Sequence, residues 1–298
     1  MIDLHLHTIF SDGDISDIEK IVEYCDTVAI TDHNSLQACS FFQNAMHGKN
    51  IIVGCEVTVD QAPDYLLYFP NGGPLKEIEH ELETIRMAEE EVIKECYFRL
   101  GYRKWETDIA RAFSQKQRIK NARTRDLAAI IHLYKHGMNY DNGAFDLKDL
   151  AIARKQRWEY AEMNGNPIHE DAAFALAKKY GGQIVLAHPI RTAIRRCPKE
   201  ITVASVEEQL LALMNCYASK GGKSIEWEYF SVPHIEKYRL TLSDIAAIRT
   251  TVWVNALKYG FLFTLGSDSH SLDNYTVAAK WLTESETAIH PKLVEWVR

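Results

Sequence analysis

Five short apolar runs in this chain stop abruptly at histidine or carboxylate residues. Met1 to Leu6 runs into His5, His7 and Thr8; Val28 to Thr31 into Asp32 and His33; Ile51 to Cys55 into Glu56; Ile184 to Ala187 into His188 and Pro189. Phe261 to Leu265 ends in Gly266, Ser267, Asp268, Ser269 and His270. Apolar runs of this length predict strands, and Tyr65 to Phe69 and Ser224 to Phe230 predict two more. Between them, Asp17 to Tyr24, Ser35 to Met46, Glu170 to Lys179, Val206 to Tyr217 and Ser243 to Tyr259 place apolar residues three and four apart, as amphipathic helices do. Alternating strands and helices give the α/β class with a parallel sheet, open or closed into a barrel. In such barrels the chemistry lies at the carboxyl ends of the strands, and every polar stop falls there.

The alternation breaks from about Glu83 to Gly165, which reads as consecutive helices between turn-rich Pro70-Asn71-Gly72-Gly73-Pro74 and Asn164-Gly165-Asn166-Pro167. Residues 1–82 and 166–298 are therefore expected to form a catalytic barrel, with 83–165 a helical insertion. Charge is unevenly distributed. The whole chain carries a net charge of -7, which argues against general affinity for nucleic acid, yet nine basic residues face only two acidic ones between Arg99 and Arg125.

Hydrophobic residues at 46% and charged residues at 25% sit near globular averages, which removes the disordered and fibrous classes. No apolar run approaches the roughly twenty residues a membrane span needs, so no membrane partner is expected. The opening MIDLHLHTIFSDGD lacks the basic and apolar stretches of a signal peptide, and a cytoplasmic location is the expectation. Six cysteines without a CxxC pair signal neither a disulfide framework nor a thiolate zinc site; buried, reduced thiols are expected.

His5 and His7, two apart on a strand, point to one face and can share an ion. Such a pair alone is weak evidence, since a lone histidine is more often a hydrogen-bonded core or surface group. The other strand ends strengthen it. Asp32-His33, Glu56, His188 and Asp268-Ser269-His270 bring further imidazoles and carboxylates to one rim, where their crowding is costly without cations. Mixed nitrogen and oxygen donors suit zinc, manganese or iron, and their number exceeds the needs of one ion. Two or three divalent ions are expected, with phosphoester hydrolysis as the matching chemistry.

In order along the chain, HLHT, TDH, GCE, AHP and GSDSH resemble the motifs of the polymerase and histidinol phosphatase (PHP) family of metal-dependent phosphoesterases, over about residues 1–70 and 166–275. The resemblance implies a distorted seven-stranded β/α barrel. It assigns His5, His7, Glu56 and Asp268 to one ion, Asp12, His33 and His270 to another, and Glu56 with His188 to a third, making Glu56, Asp268 and His188 the catalytic residues. The chain departs from the family pattern after Glu56, where a further histidine is usual and Asp64-Tyr65 stands instead. Either Asp64 or Tyr65 substitutes, or the centre holds two ions. The insertion is similar to that of nucleotide 3',5'-bisphosphate phosphatases and 5'-end RNA exonucleases, whose insertion arginines contact substrate phosphate; Arg123-Thr124-Arg125 resembles that segment. Arg191, just past a strand end, is a second candidate. Arginine suits the role because its planar fork pairs with two phosphate oxygens. The alternative for Arg123 and Arg125 is a solvated helix face.

His132 and His136 have a spacing that can bind metal, but no HExxH glutamate accompanies them, and they are read as structural or surface residues. His47, His80, His169, His234 and His290 have no motif context, although His234 lies just past a strand. Cys55 should face away from Glu56, and Phe41-Phe42 and Trp227-Tyr229 read most simply as core. The expected substrate is a nucleotide or short single-stranded nucleic acid. A phosphorylated small molecule, such as histidinol phosphate or a cyclic sugar phosphate, is the alternative; a non-catalytic metal-stabilised domain is a third reading, which the intact ligand motifs oppose.

Overall fold

The computed structural model describes residues 1–42, 48–58, 63–112, 122–136, 147–165, 171–197 and 200–297. Seven strands form one sheet in chain order: β1 (Ile2–Asp3), β2 (Thr27–Ile30), β3 (Asn50–Val57), β4 (Tyr65–Phe69), β5 (Gln183–Leu186), β6 (Ser224–Glu228) and β7 (Leu262–Gly266). Backbone contacts beyond β1 and β7 bring the two edges together. Leu4 N–H donates to Leu265 O (2.8 Å), Asp268 N–H to His5 O (2.8 Å) and His7 N–H to Ser269 O (3.0 Å). The result is the seven-stranded, nearly closed α/β barrel that the sequence resemblance implies.

One strand departs from the parallel expectation. β1, β2 and β3 are mutually parallel, as are β5, β6 and β7, but β4 runs antiparallel to both neighbours. Residues 58–64 are too few for the dozen or more that a parallel crossover requires, so the chain reverses into a hairpin. This reversal places the start of β4, with Asp64, at the same rim as the ends of the other strands.

Helices α1 (Glu19–Val22) and α2 (Gln37–Phe42) follow the first two strands. α3 (Leu75–Arg99), α4 (Trp105–Ala112), α5 (Thr124–His136), α6 (Leu147–Asn164) and α7 (Asp171–Tyr180) separate β4 from β5. α8 (Pro189–Arg196), α9 (Val203–Ser219), α10 (Val232–Tyr238), α11 (Leu242–Tyr259) and α12 (Leu272–Ile289) complete the chain among the described residues. α8 and α10 were not legible from the apolar spacing: each is short, opens with a proline in its first turn, and follows directly from a strand end. The expected Ser35 to Met46 helix is seen as α2, and residues 43–47 lie outside the described ones.

The main core joins Leu66 and Leu67 of β4, Val185 and Leu186 of β5, Ile225 of β6 and Phe263 of β7 to the inner faces of α8, α9 and α11. Val92, Ile93, Tyr97, Trp105, Leu127, Ile130 and Ala153 form a separate core within α3 to α6. The boundary expected at residue 83 falls inside α3: Ile78 and Leu82 belong to the main core, while Val92 and Cys96 belong to the helical one. Phe42 is buried, but Phe41 is half exposed, because successive residues on a helix point in different directions. Cys25, Cys39, Cys55 and Cys96 are buried as expected, whereas Cys197 is intermediate and Cys216 exposed.

Candidate metal centre

His5 and His7 lie just beyond β1, and both are fully buried. Their Nε2 atoms stand 3.1 Å apart, and the same two atoms converge on Glu56 and Asp268. His5 Nε2 lies 3.4 Å from Glu56 Oε2 and 3.3 Å from Asp268 Oδ1; His7 Nε2 lies 3.1 Å from each. Donors about 2.0 to 2.1 Å from a tetrahedral zinc ion stand about 3.3 Å from one another, so these separations fit a divalent ion.

A second group of donors shares His7. Asp12 Oδ1 is 3.3 Å from both His33 Nε2 and His270 Nε2, and 3.8 Å from His7 Nδ1. The His7 ring stacks between those of His33 and His270, with both centroids 4.4 Å away. A third group shares Glu56: its Oε2 faces the first cluster, while its Oε1 is 2.8 Å from His188 Nε2, which is 3.4 Å from Asp64 Oδ2. Of Asp64 and Tyr65, Asp64 is the one that faces His188. Tyr65 is fully buried in the main core and packs against Phe174 and Tyr217.

Charge compensation also favours cations. Burial opposes a charged His7, but Asp268 and Glu56 outweigh it and raise its pKa to about 10. His5 behaves alike: burial is overcome by Glu226, Asp268 and Glu56, and its pKa rises well above the ordinary range. Burial would raise the Asp268 pKa, yet Arg191 and His5 hold it well below the usual value. Burial, reinforced by Arg123, lowers His33 to about 3 and keeps it a neutral donor; burial and then Glu56 raise Asp64 to about 6. Protons on imidazoles therefore balance the carboxylates where a divalent ion would do so more directly.

Several residues outside the three clusters support this centre. Glu226, in the middle of β6, accepts from His5 Nδ1 (2.8 Å) and from the backbone N–H of His188 (2.6 Å). Gly266 leaves room for that contact, since a Cβ there would lie 2.2 Å from His5 Cβ and 2.7 Å from Glu226 Oε1. Asp32 accepts from Thr8 N–H (2.8 Å), Thr8 Oγ1 (2.6 Å) and Ser11 Oγ, which fixes the loop carrying Asp12. Asp3 receives the N–H groups of His5 (3.1 Å) and Ser267 (2.9 Å). An alternating strand pattern ending in Glu226 and Glu228 was the available signal, but nothing local distinguishes such residues from surface carboxylates. His188 (φ 26°), Asp268 (φ 50°) and Asn34 (φ 50°) adopt left-handed backbone at this rim, a strain of about 1 to 3 kcal/mol each for residues that are not glycine.

The arginines reach the rim in different ways. Arg125, about half exposed at the start of α5, pairs its Nη1 with Asp12 Oδ2. Arg123 is near enough for its charge to interact with Asp12, Glu89 and Glu56. Arg191 is buried, with Nε on Glu228 Oε1 and Nη1 on Asp268 Oδ2; its Nη2 has no hydrogen-bond partner among the described residues. Lys116, Arg118 and Lys120 of the basic stretch lie outside the described residues. His234 bonds Ser231 Oγ (2.9 Å) and His80 is exposed; neither joins the clusters. Among the described residues no helix is long and apolar enough to cross a membrane.

This barrel with clustered imidazole and carboxylate donors at its rim defines a metal-binding α/β protein. The chain belongs to the PHP domain family, whose model matches residues 3–164, more than half of the chain. No match was found among curated proteins. Among solved structures it is similar to an amidohydrolase from Chromobacterium violaceum with bound sulfate and no metal, at 16% identity and a TM-score of 0.47, over 91% of this chain and 88% of that one. It is also similar to a two-domain protein from Bacteroides vulgatus containing a predicted PHP-like metal-dependent phosphoesterase, at 14% identity and a TM-score of 0.37. That alignment covers 91% of this chain and about half, 52%, of the other.

Proposed function

We propose that this protein is a metal-dependent phosphoesterase acting on phosphate esters of nucleotides or short oligonucleotides. The observation that carries the reading is the sharing of donors: His7 serves two clusters through its two nitrogens, and Glu56 serves two through its two oxygens. His5, His7, Glu56 and Asp268 would hold one divalent ion, Asp12, His33 and His270 with His7 a second, and Glu56, Asp64 and His188 a third. When bound, manganese, zinc or iron ions supply Lewis acidity and lower the pKa of water.

The chain's own residues orient and confine the reaction. Glu226 keeps the His5 and His188 donors aimed at the centre, and Arg191 steadies Asp268. Arg123 and Arg125 place positive charge beside the Asp12 cluster, where a substrate phosphate would need partners outside the ligand shell. The test is a screen of nucleotide bisphosphates, short oligonucleotides and phosphorylated metabolites with chelator-stripped protein resupplied with manganese, zinc or iron. Metal-dependent release of phosphate from the nucleotide substrates is expected. Hydrolysis restricted to small sugar or histidinol phosphates would move the assignment to a small-molecule phosphatase, and no metal-dependent hydrolysis of any phosphoester would overturn it.

A further inference from the structure

Away from the barrel rim, one other group of metal-ligating side chains converges among the described residues. His132 and His136 lie one helical turn apart near the end of α5, with ring centroids 4.4 Å apart, and Asp149 faces them from the first turn of α6. His132 Nδ1 is 2.8 Å from Asp149 Oδ2, and one donor atom from each of the three residues falls within 4.8 Å of the others. The Asp149 side chain is fully buried, while His136 is exposed, so the group opens to solvent on one side.

We propose that His132, His136 and Asp149 bind one divalent transition-metal ion, zinc by preference, separate from the ions of the barrel. Two imidazoles with one carboxylate favour zinc over magnesium or calcium, which take oxygen donors. The second Asp149 oxygen is already engaged: Lys135 Nζ donates to Oδ1, leaving Oδ2 toward the histidines. Ligating carboxylates commonly have their other oxygen held in this way. Solvent supplies the fourth donor. The spacing of the two histidines lacked a third ligand in the sequence; packing of α6 against α5 provides it.

The ion's role is structural. It joins the last turn of α5 to the first turn of α6, and the opposite end of α5 carries Arg123 and Arg125 toward the barrel rim. A purely hydrogen-bonded tie between His132, Lys135 and Asp149 explains those three residues without an ion, but gives His136 no part. His136 is therefore the decisive position, and its exposure makes replacement safe for folding.

The experiment is equilibrium dialysis of the full-length protein against zinc at fixed free concentrations from nanomolar to micromolar, followed by elemental analysis. His136→Ala should hold one zinc ion per chain fewer than the unaltered protein. A second measurement locates the ion. His136→Cys loaded with cobalt(II) should show a thiolate-to-cobalt charge-transfer band that the unaltered protein lacks, because the new sulfur replaces an imidazole donor. An unchanged zinc count in His136→Ala, or no new band in His136→Cys, would overturn the proposal.

Discussion

Glu226 holds the His5 ring from behind: its Oε1 accepts from Nδ1 at 2.8 Å, leaving Nε2 directed at Glu56 and Asp268. The other Glu226 oxygen accepts the His188 backbone N–H at 2.6 Å, so one carboxylate on β6 sets the aim of donors from two other strand ends. Removing such a partner commonly lowers metal affinity about 10- to 100-fold. Glu226→Ala should show a loss of that size in chelator competition while its circular dichroism remains that of a folded protein. Unchanged affinity would remove Glu226 from the positioning role.

The stored protons set a pH dependence. His5 and His7 have folded pKa values raised above the unfolded value of about 6.5, His7 to about 10. Their stabilising contribution is complete below about 6.5 and is lost as pH rises through the folded values. His33, held neutral, has the opposite sign but acts only below about 6.5. Metal-free protein should therefore lose stability between pH 6.5 and 10, as read by urea unfolding in a chelator. Metal binding must expel the same protons, so affinity should rise with pH. Calorimetry in buffers of different ionisation enthalpy should detect proton release.

The ion assigned to Glu56, Asp64 and His188 should be the weakest held. Among the described residues only three protein donors are offered there, one shared with the first cluster, and Asp64, raised to about 6 by burial and Glu56, must lose its proton to bind. Asp64→Ala should lower metal content by one ion per chain, and mild chelation of the unaltered protein should remove the same ion first. Full occupancy at all three positions after such chelation, seen by crystallography, would count against this order.

The three arginines should separate kinetically. Arg125 is half exposed and touches the rim through Asp12, so Arg125→Ala should raise the Michaelis constant for a nucleotide substrate about ten-fold, the effect of losing a charge-assisted contact of about 1.5 kcal/mol. Arg123→Ala should act in the same direction. Arg191 is clamped between Glu228 and Asp268, so Arg191→Ala should lower kcat as well, through a misdirected Asp268. Steady-state kinetics on the three variants, with a small chromogenic phosphoester as reference, will show whether the Arg125 effect is confined to the nucleotide.

The clustered imidazoles and carboxylates were legible in one dimension because five strands end where apolar side chains give way to such residues, and strand ends on a barrel share a rim. HLHT, TDH, GCE, AHP and GSDSH are local signals of this kind, and the barrel follows from the alternation around them. The tertiary structure decided what depends on pairing across the sheet. Reversal of β4 brings Asp64 to the rim, an outcome of a connection too short for a parallel crossover. Glu226 and Asp3 acquire their roles only when the β7 edge closes on β1, and Glu228 only when Arg191 of α8 reaches the end of β6, since a buried carboxylate is indistinguishable in sequence from a solvated one. The same reason separates Arg125 from Arg191. Both are arginines beside a motif, but only packing determines that one is half exposed and the other locked between two carboxylates.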